Sequence, residues 1–167
     1  STNTQQTETL PGRVEERELV GLLLDCPQLL ENLQSDGTFT FVSTPSIRKL
    51  LDEIVGRNAR KESSIGDLVS HTENAQLGAW LAGRAMVKLY EDDDKARRAL
   101  DDIRDKLSDT HLKKRIVEVE NQIRQAASEG DDTRILELSR EKVNLQRKST
   151  KGKEKRDQLF DVDVSKA

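Results

Sequence analysis

Apolar residues along the chain recur mostly in steps of three and four, the spacing that lines one face of a helix. The first block is Leu19, Val20, Leu22, Leu23 and Leu24, behind Glu15-Glu16-Arg17-Glu18. A mostly acidic first turn suits the positive end of a helix dipole, so the pattern predicts a core helix from Val14. Pro27 ends it and opens a second, short helix with Leu29, Leu30 and Leu33 on its apolar face. Thr38-Phe39-Thr40-Phe41-Val42 alternates with a period of two, but no second strand is available to pair with it. An extended loop anchored by two rings is expected there. Thr44 and Pro45 make a cap and first-turn pair for a helix over residues 45–60, with Ile47, Leu50, Leu51, Ile54 and Val55 along one face. A short helical turn over Ser64–His71 follows. A further helix is expected over residues 74–89, weakened by Gly78 and Gly83 at ~1 kcal/mol each.

The acidic run Glu91-Asp92-Asp93-Asp94 caps a long helical pattern. Ala96, Leu100, Ile103 and Leu107 form its first half, and Leu112, Ile116, Val119, Ile123 and Ala126 its second. The step from 107 to 112 is five residues, so a bend or phase change is expected near Ser108. Glu129-Gly130-Asp131-Asp132 supplies a glycine stop and a new N-cap, and Ile135, Leu138 and Leu145 resume the stripe. Two antiparallel helices joined by a tight turn follow directly. The fold class is all-α: an N-terminal helical bundle, a long helix and a C-terminal antiparallel helical hairpin. The expected layout is a flexible linker over 1–13, a bundle over 14–107, a hairpin over 108–148 and a flexible charged tail over 149–167.

Composition narrows the function classes. The 167 residues are 34% hydrophobic and 35% charged, against roughly 45–50% and ~25% in an ordinary soluble domain. Leu, Ile, Val and Phe still make up about a quarter of the chain, above the ~20% below which a charged chain usually fails to fold. Net charge is −3, so no overall positive field exists to hold a phosphate backbone. A lone cysteine, Cys26, excludes an internal disulfide and points to a reducing, cytoplasmic setting. No apolar run reaches the ~20 residues of a membrane span, and the Ser/Thr/Gln-rich start lacks signal-peptide character.

Chemistry needs convergent groups, and the sequence offers none in a suitable context. His71 and His111 stand apart from any cysteine or second histidine at ligand spacing, which argues against zinc. The acidic run at 91–94 lacks the glycine and distal glutamate of a calcium loop. Glu129-Gly130-Asp131-Asp132 follows a helix, not the strand that a magnesium-binding carboxylate motif needs. No phosphate loop, dinucleotide fingerprint or nucleophile elbow is present. Neither catalytic residues, metal ligands nor a cofactor are expected, and no small-molecule substrate or membrane is implied.

The hairpin points to binding instead. Its single stripe leaves it marginal unless something else packs on it. Leu136 and Val143, seven residues apart, lie off that stripe as a second apolar strip. Either they fold back on the bundle or they meet a partner, with Arg134, Arg140 and Glu141 at the polar rim. The candidate partner-binding residues are Arg134, Leu136, Leu138, Arg140, Glu141, Val143 and Leu145.

The segment Glu16-Arg17-Glu18-Leu19-Val20-Gly21-Leu22-Leu23-Leu24-Asp25-Cys26-Pro27-Gln28-Leu29-Leu30 resembles the opening helix of the C-terminal helicase-binding domain of bacterial replicative DNA primases. The hairpin from Leu112 to Arg147 resembles that domain's closing element, so the likeness spans residues 14–148. It implies a bundle that stimulates the ring helicase and a hairpin that docks on the helicase N-terminal collar, coupling primer synthesis to unwinding in the replisome. It also implies a contact between basic residues and the acidic tail of the single-strand binding protein. The zinc module and polymerase core of a primase have no counterpart here, so the chain would be a fragment without chemistry of its own. Three alternatives stay open. The related N-terminal domain of the replicative helicase is one. A self-associating helical adaptor, visible as concentration-dependent sedimentation, is another. The third is a nucleic-acid contact through Lys148, Lys151, Lys153, Lys155 and Arg156, abolished by deleting residues 149–167.

Overall fold

The computed structural model describes residues 9–62 and 64–164, and every regular element among them is helical. The chain divides into two compact units, one ending at Leu107 and the other beginning at Ser108.

In the first unit α1 (Val14–Asp25) is followed by a 3-10 turn (Pro27–Leu29), α2 (Leu30–Ser35), a second 3-10 turn (Thr38–Phe41), α3 (Pro45–Ala59), α4 (Ile65–Ser70) and α5 (Ala75–Ala85). The first part of α6 (Asp93–Glu129) completes it. Leu19, Val20, Leu22 and Leu23 of α1 pack with Ile47, Leu50 and Leu51 of α3, Leu77 and Leu81 of α5, and Leu100, Ile103 and Leu107 of α6. Local signals set the starts of several helices. Pro45 opens α3, the Ser64 hydroxyl accepts from the Asp67 N–H, and the Asn74 side chain accepts from the Leu77 N–H.

Two buried carboxylates of α1 tie distant segments to it. Glu16 accepts the N–H groups of Arg13, Ser43 and Thr44 at 3.0, 2.8 and 3.2 Å and the Thr44 hydroxyl at 2.6 Å. Burial pushes this carboxyl up, but those hydrogen bonds together outweigh it and hold Glu16 below the ordinary glutamate range. Asp25 accepts both terminal nitrogens of Arg84 at 3.0 and 2.7 Å, and the N–H groups of Leu89 and Tyr90 at 2.9 and 3.1 Å. Burial again raises, and the Arg84 guanidinium with the two amides lowers, leaving Asp25 below its usual value. Gly21 makes room for this ion pair: a Cβ there would stand 2.6 Å from Arg84 Nε.

Two details of the first unit differ from the sequence expectation. Thr38–Phe41 is a 3-10 turn, not an extended loop: Asp36 Oδ1 accepts the N–H of Thr38, and Gly37, at φ 76°, starts the turn. Phe39 and Phe41 still pack on the core. Helix α5 ends at Ala85 and not at residue 89, because Asp25 takes the amides of Leu89 and Tyr90 while Arg84 Nη1 donates to the Val87 carbonyl. Met86, Val87 and Leu89 are consequently exposed. Helix α6 runs through Ser108-Asp109-Thr110 without interruption. Its five-residue step is a phase change that marks a change of packing partners: residues up to Leu107 join the first unit's core, and Val119 and Ala126 join the second's.

The second unit contains the rest of α6 and α7 (Asp132–Val164). Residues 149–164, expected as a tail, continue α7. That stretch contains no proline, so it can continue the helix for which the preceding part of α7 provides the nucleus. Of the expected linker, residues 1–8 lie outside the described residues, as do 165–167 of the tail. Pro11 and Gly12 are held to α1, their carbonyls accepting from Arg17.

Candidate partner-binding site on the hairpin

Gly130 joins the two helices of the second unit at φ 70°, a conformation that L side chains rarely adopt. The Gly130 N–H donates to the Ala127 carbonyl and the Asp131 N–H to the Ala126 carbonyl, closing α6. Asp131 Oδ1 then accepts the Arg134 N–H to start α7. This turn fixes the register of the pair. Val119, Ala126 and Leu138 are buried between the helices, with Ile123, Ile135 and Leu145 half-buried around them.

Ion pairs close both sides of the seam. Arg115 donates to Glu141 through Nε at 3.0 Å and Nη2 at 2.7 Å, and the Arg115 guanidinium is held further into its charged form by that contact, then by Glu118. On the other side Lys142 meets Glu120 at 2.9 Å. Both pairs are about one-third exposed, so each is worth less than about 1 kcal/mol.

The seven candidate residues separate into three sets. Leu138 and Leu145 face the seam and belong to the hairpin's own core. Glu141 is engaged by Arg115, and Arg134, seven residues before it, falls on the same side of α7 at about 100° per residue. Leu136, Arg140 and Val143, spaced by four and three, form an outward stripe, with Leu136 54% and Val143 45% exposed. Only this last set carries apolar surface with nothing of the hairpin covering it.

One residue was not picked out from the sequence. Val117 on α6 is 54% exposed, and helix geometry puts it outward, about 200° around α6 from the seam residue Val119. Its signal is positional: 117 and 143 are equidistant from Gly130, so a tight antiparallel turn there brings them level. Adjacent Ile116 satisfies the apolar stripe and masks Val117.

No described helix is long and apolar enough to cross a membrane, and the described residues hold no cluster of three or more His, Cys, Asp or Glu side chains placed for a metal ion. Comparison with protein families gives a match over residues 16–138 to the description "DNA primase DnaG DnaB-binding". The matched span runs from α1, through the bundle and the Gly130 turn, to the first two turns of α7. No curated protein and no solved structure matches the chain. The match covers well over half of the residues. The chain belongs to the family of DnaB-binding domains of the DNA primase DnaG.

Proposed function

We propose that this domain docks on the N-terminal collar of the hexameric replicative helicase through the outward strip of its hairpin. Docking would stimulate the helicase and couple RNA primer synthesis to DNA unwinding in the bacterial cytoplasm. The polymerase chemistry would lie in another part of a longer primase. The observation that carries this reading is the uncovered stripe of Leu136 and Val143 on a hairpin whose seam is otherwise sealed by ion pairs. Apolar side chains at the centre of a strip, ringed by Arg140 and the Glu120–Lys142 pair, suit a helix face laid on another protein.

The test is titration of the chain against its hexameric helicase, beside the double variant Leu136→Asp, Val143→Asp, with helicity checked by circular dichroism. Saturable binding by the intact chain, weakened at least about tenfold in a variant of unchanged helicity, is expected. No binding by the intact chain, or equal binding by the variant, overturns the reading.

A second contact, with the acidic tail of the single-strand binding protein, has one observation in its favour. A groove of about 370 Å³ is lined by the apolar Leu23, Pro27, Ile54 and Ile65 and by the bases Arg57 and Lys61 with one acid, Glu62, chemistry that suits a peptide both acidic and apolar. Lys61→Glu is expected to weaken binding of that tail peptide and leave helicase docking unchanged.

A further inference from the structure

Between α5 and α6 the first unit exposes three large apolar side chains within four positions: Met86 at 88%, Val87 at 52% and Leu89 at 60%. Single exposed apolar residues need no explanation, but a cluster rimmed by charge marks an interaction surface.

This cluster is not a loose loop. Asp25 and Arg84, 5% and 12% exposed, form an ion pair at 2.7 Å beneath it. That pair grips the backbone on both sides of Lys88, through the N–H groups of Leu89 and Tyr90 and the carbonyl of Val87. The Cys26 thiol contacts the Tyr90 carbonyl at 3.6 Å, and Tyr90 packs on the core. Burying a charged pair costs desolvation that a hydrophobic pair would avoid. Here the pair's hydrogen bonds hold a backbone segment in a shape that leaves its apolar side chains in water. A surface already fixed in shape loses little conformational entropy when covered.

The rim defines what would cover it. Immediately after Leu89 and Tyr90 come Glu91, Asp92, Asp93 and Asp94, all exposed, with Lys88 before the run and Lys95 after it as the adjoining bases, so acid outweighs base four to two over residues 88–95. Gln28 donates to Asp93, and Asp92 caps α6 by accepting the Asp94 N–H, so the acidic run is fixed beside the apolar cluster. We infer that the 86–94 segment is a docking surface for a basic amphipathic helix of a protein partner. The apolar stripe of that helix covers Met86, Val87 and Leu89, and its Lys or Arg residues meet Glu91 and Asp94. The surface is independent of the hairpin strip.

The test uses the whole chain, isotopically labelled, and a designed amphipathic peptide of leucine and lysine with its leucines along one stripe. Amide shifts confined to residues 86–95 and the neighbouring end of α1 are expected, with affinity that falls as salt rises. Met86→Ser with Leu89→Ser is expected to weaken binding about tenfold. Glu91→Lys with Asp94→Lys is expected to do the same and to remove the salt dependence. Both pairs are surface substitutions whose fold is checked through the fluorescence of Trp80. Shifts centred elsewhere, equal binding by either double variant, or equal binding of a peptide with glutamate in place of lysine would each overturn the inference.

Discussion

Glu16→Gln tests whether the buried carboxylate of α1 is the fastening of the bundle's N-terminal half. The side chain is fully inaccessible. Oε1 accepts from Ser43 N and Thr44 N, and Oε2 from Arg13 N and Thr44 Oγ1. An amide of the same shape keeps one acceptor and turns an NH2 group toward two donors. The Thr44 hydroxyl can rotate to accept, whereas the Arg13 N–H cannot, so at least one buried donor loses its partner. Losing charge-assisted hydrogen bonds at about 1.5–3 kcal/mol each, with a buried donor left unpaired, gives about 3 kcal/mol. With a urea slope of about 2 kcal/mol/M, the midpoint followed through Trp80 falls by roughly 1.5 M at neutral pH. The pH dependence adds a second check. Glu16 titrates below its ordinary value when folded. Its contribution is therefore complete above the unfolded pKa and is lost as pH falls through the lower folded pKa. Wild type and variant converge in acid. A midpoint shift below about 0.3 M at pH 7, or a difference that persists unchanged in acid, would refute the role assigned to Glu16.

Gly21→Ala drives a methyl group into Arg84 Nε and displaces it from Asp25, with a loss of up to about 3 kcal/mol, since one partner of a buried pair is left exposed to the mismatch. In an Arg84→Ala background the same substitution should cost almost nothing, which a double-mutant cycle by urea unfolding measures. Gly130→Ala meets no neighbouring atom, so only the left-handed backbone at φ 70° opposes it. A cost of about 1–2 kcal/mol, confined to hairpin amides in hydrogen exchange, is expected. Arg115→Ala removes a two-fold hydrogen bond to Glu141 at a site about one-third exposed. Thermal unfolding should register less than about 1 kcal/mol.

The helices were legible because their signals are local. Pro27, Pro45, Asn74, Gly130 and Asp131 each act within one turn, and the three-and-four spacing of leucines needs no knowledge of what packs against it. What the sequence concealed depends on contacts between remote positions. The end of α5 is set by Asp25, 64 residues before Leu89, and no local pattern announces that. Glu16 read as one of several charges in a first turn suited to the helix dipole, yet its partners lie 27 and 28 residues on, at Ser43 and Thr44. The alternation at Thr38–Val42 imitated a strand because Phe39 and Phe41 both pack on the core, which a 3-10 turn started by Asp36 and Gly37 also permits. On the hairpin, residue type identified the apolar positions of α7, but only the register set at Gly130 separates Leu138 and Leu145, which fill the seam, from Leu136 and Val143, which do not.

That separation carries an energetic argument for a partner. The bundle has an extended buried core and two pinned carboxylates, while the hairpin's described core has Val119, Ala126 and Leu138 as its fully buried members. A seam this thin gains from every apolar side chain that turns inward. Leu136, Val143 and Val117 turn outward instead and contribute nothing to it. Fully covering a valine or leucine is worth about 1.5–3 kcal/mol. Since Leu136 and Val143 are each already about half covered, a partner laid on their strip would recover roughly 1 kcal/mol apiece, or about 2 kcal/mol together. At 1.4 kcal/mol per tenfold, that corresponds to more than one decade of affinity, gained from side chains that the hairpin does not require in order to fold.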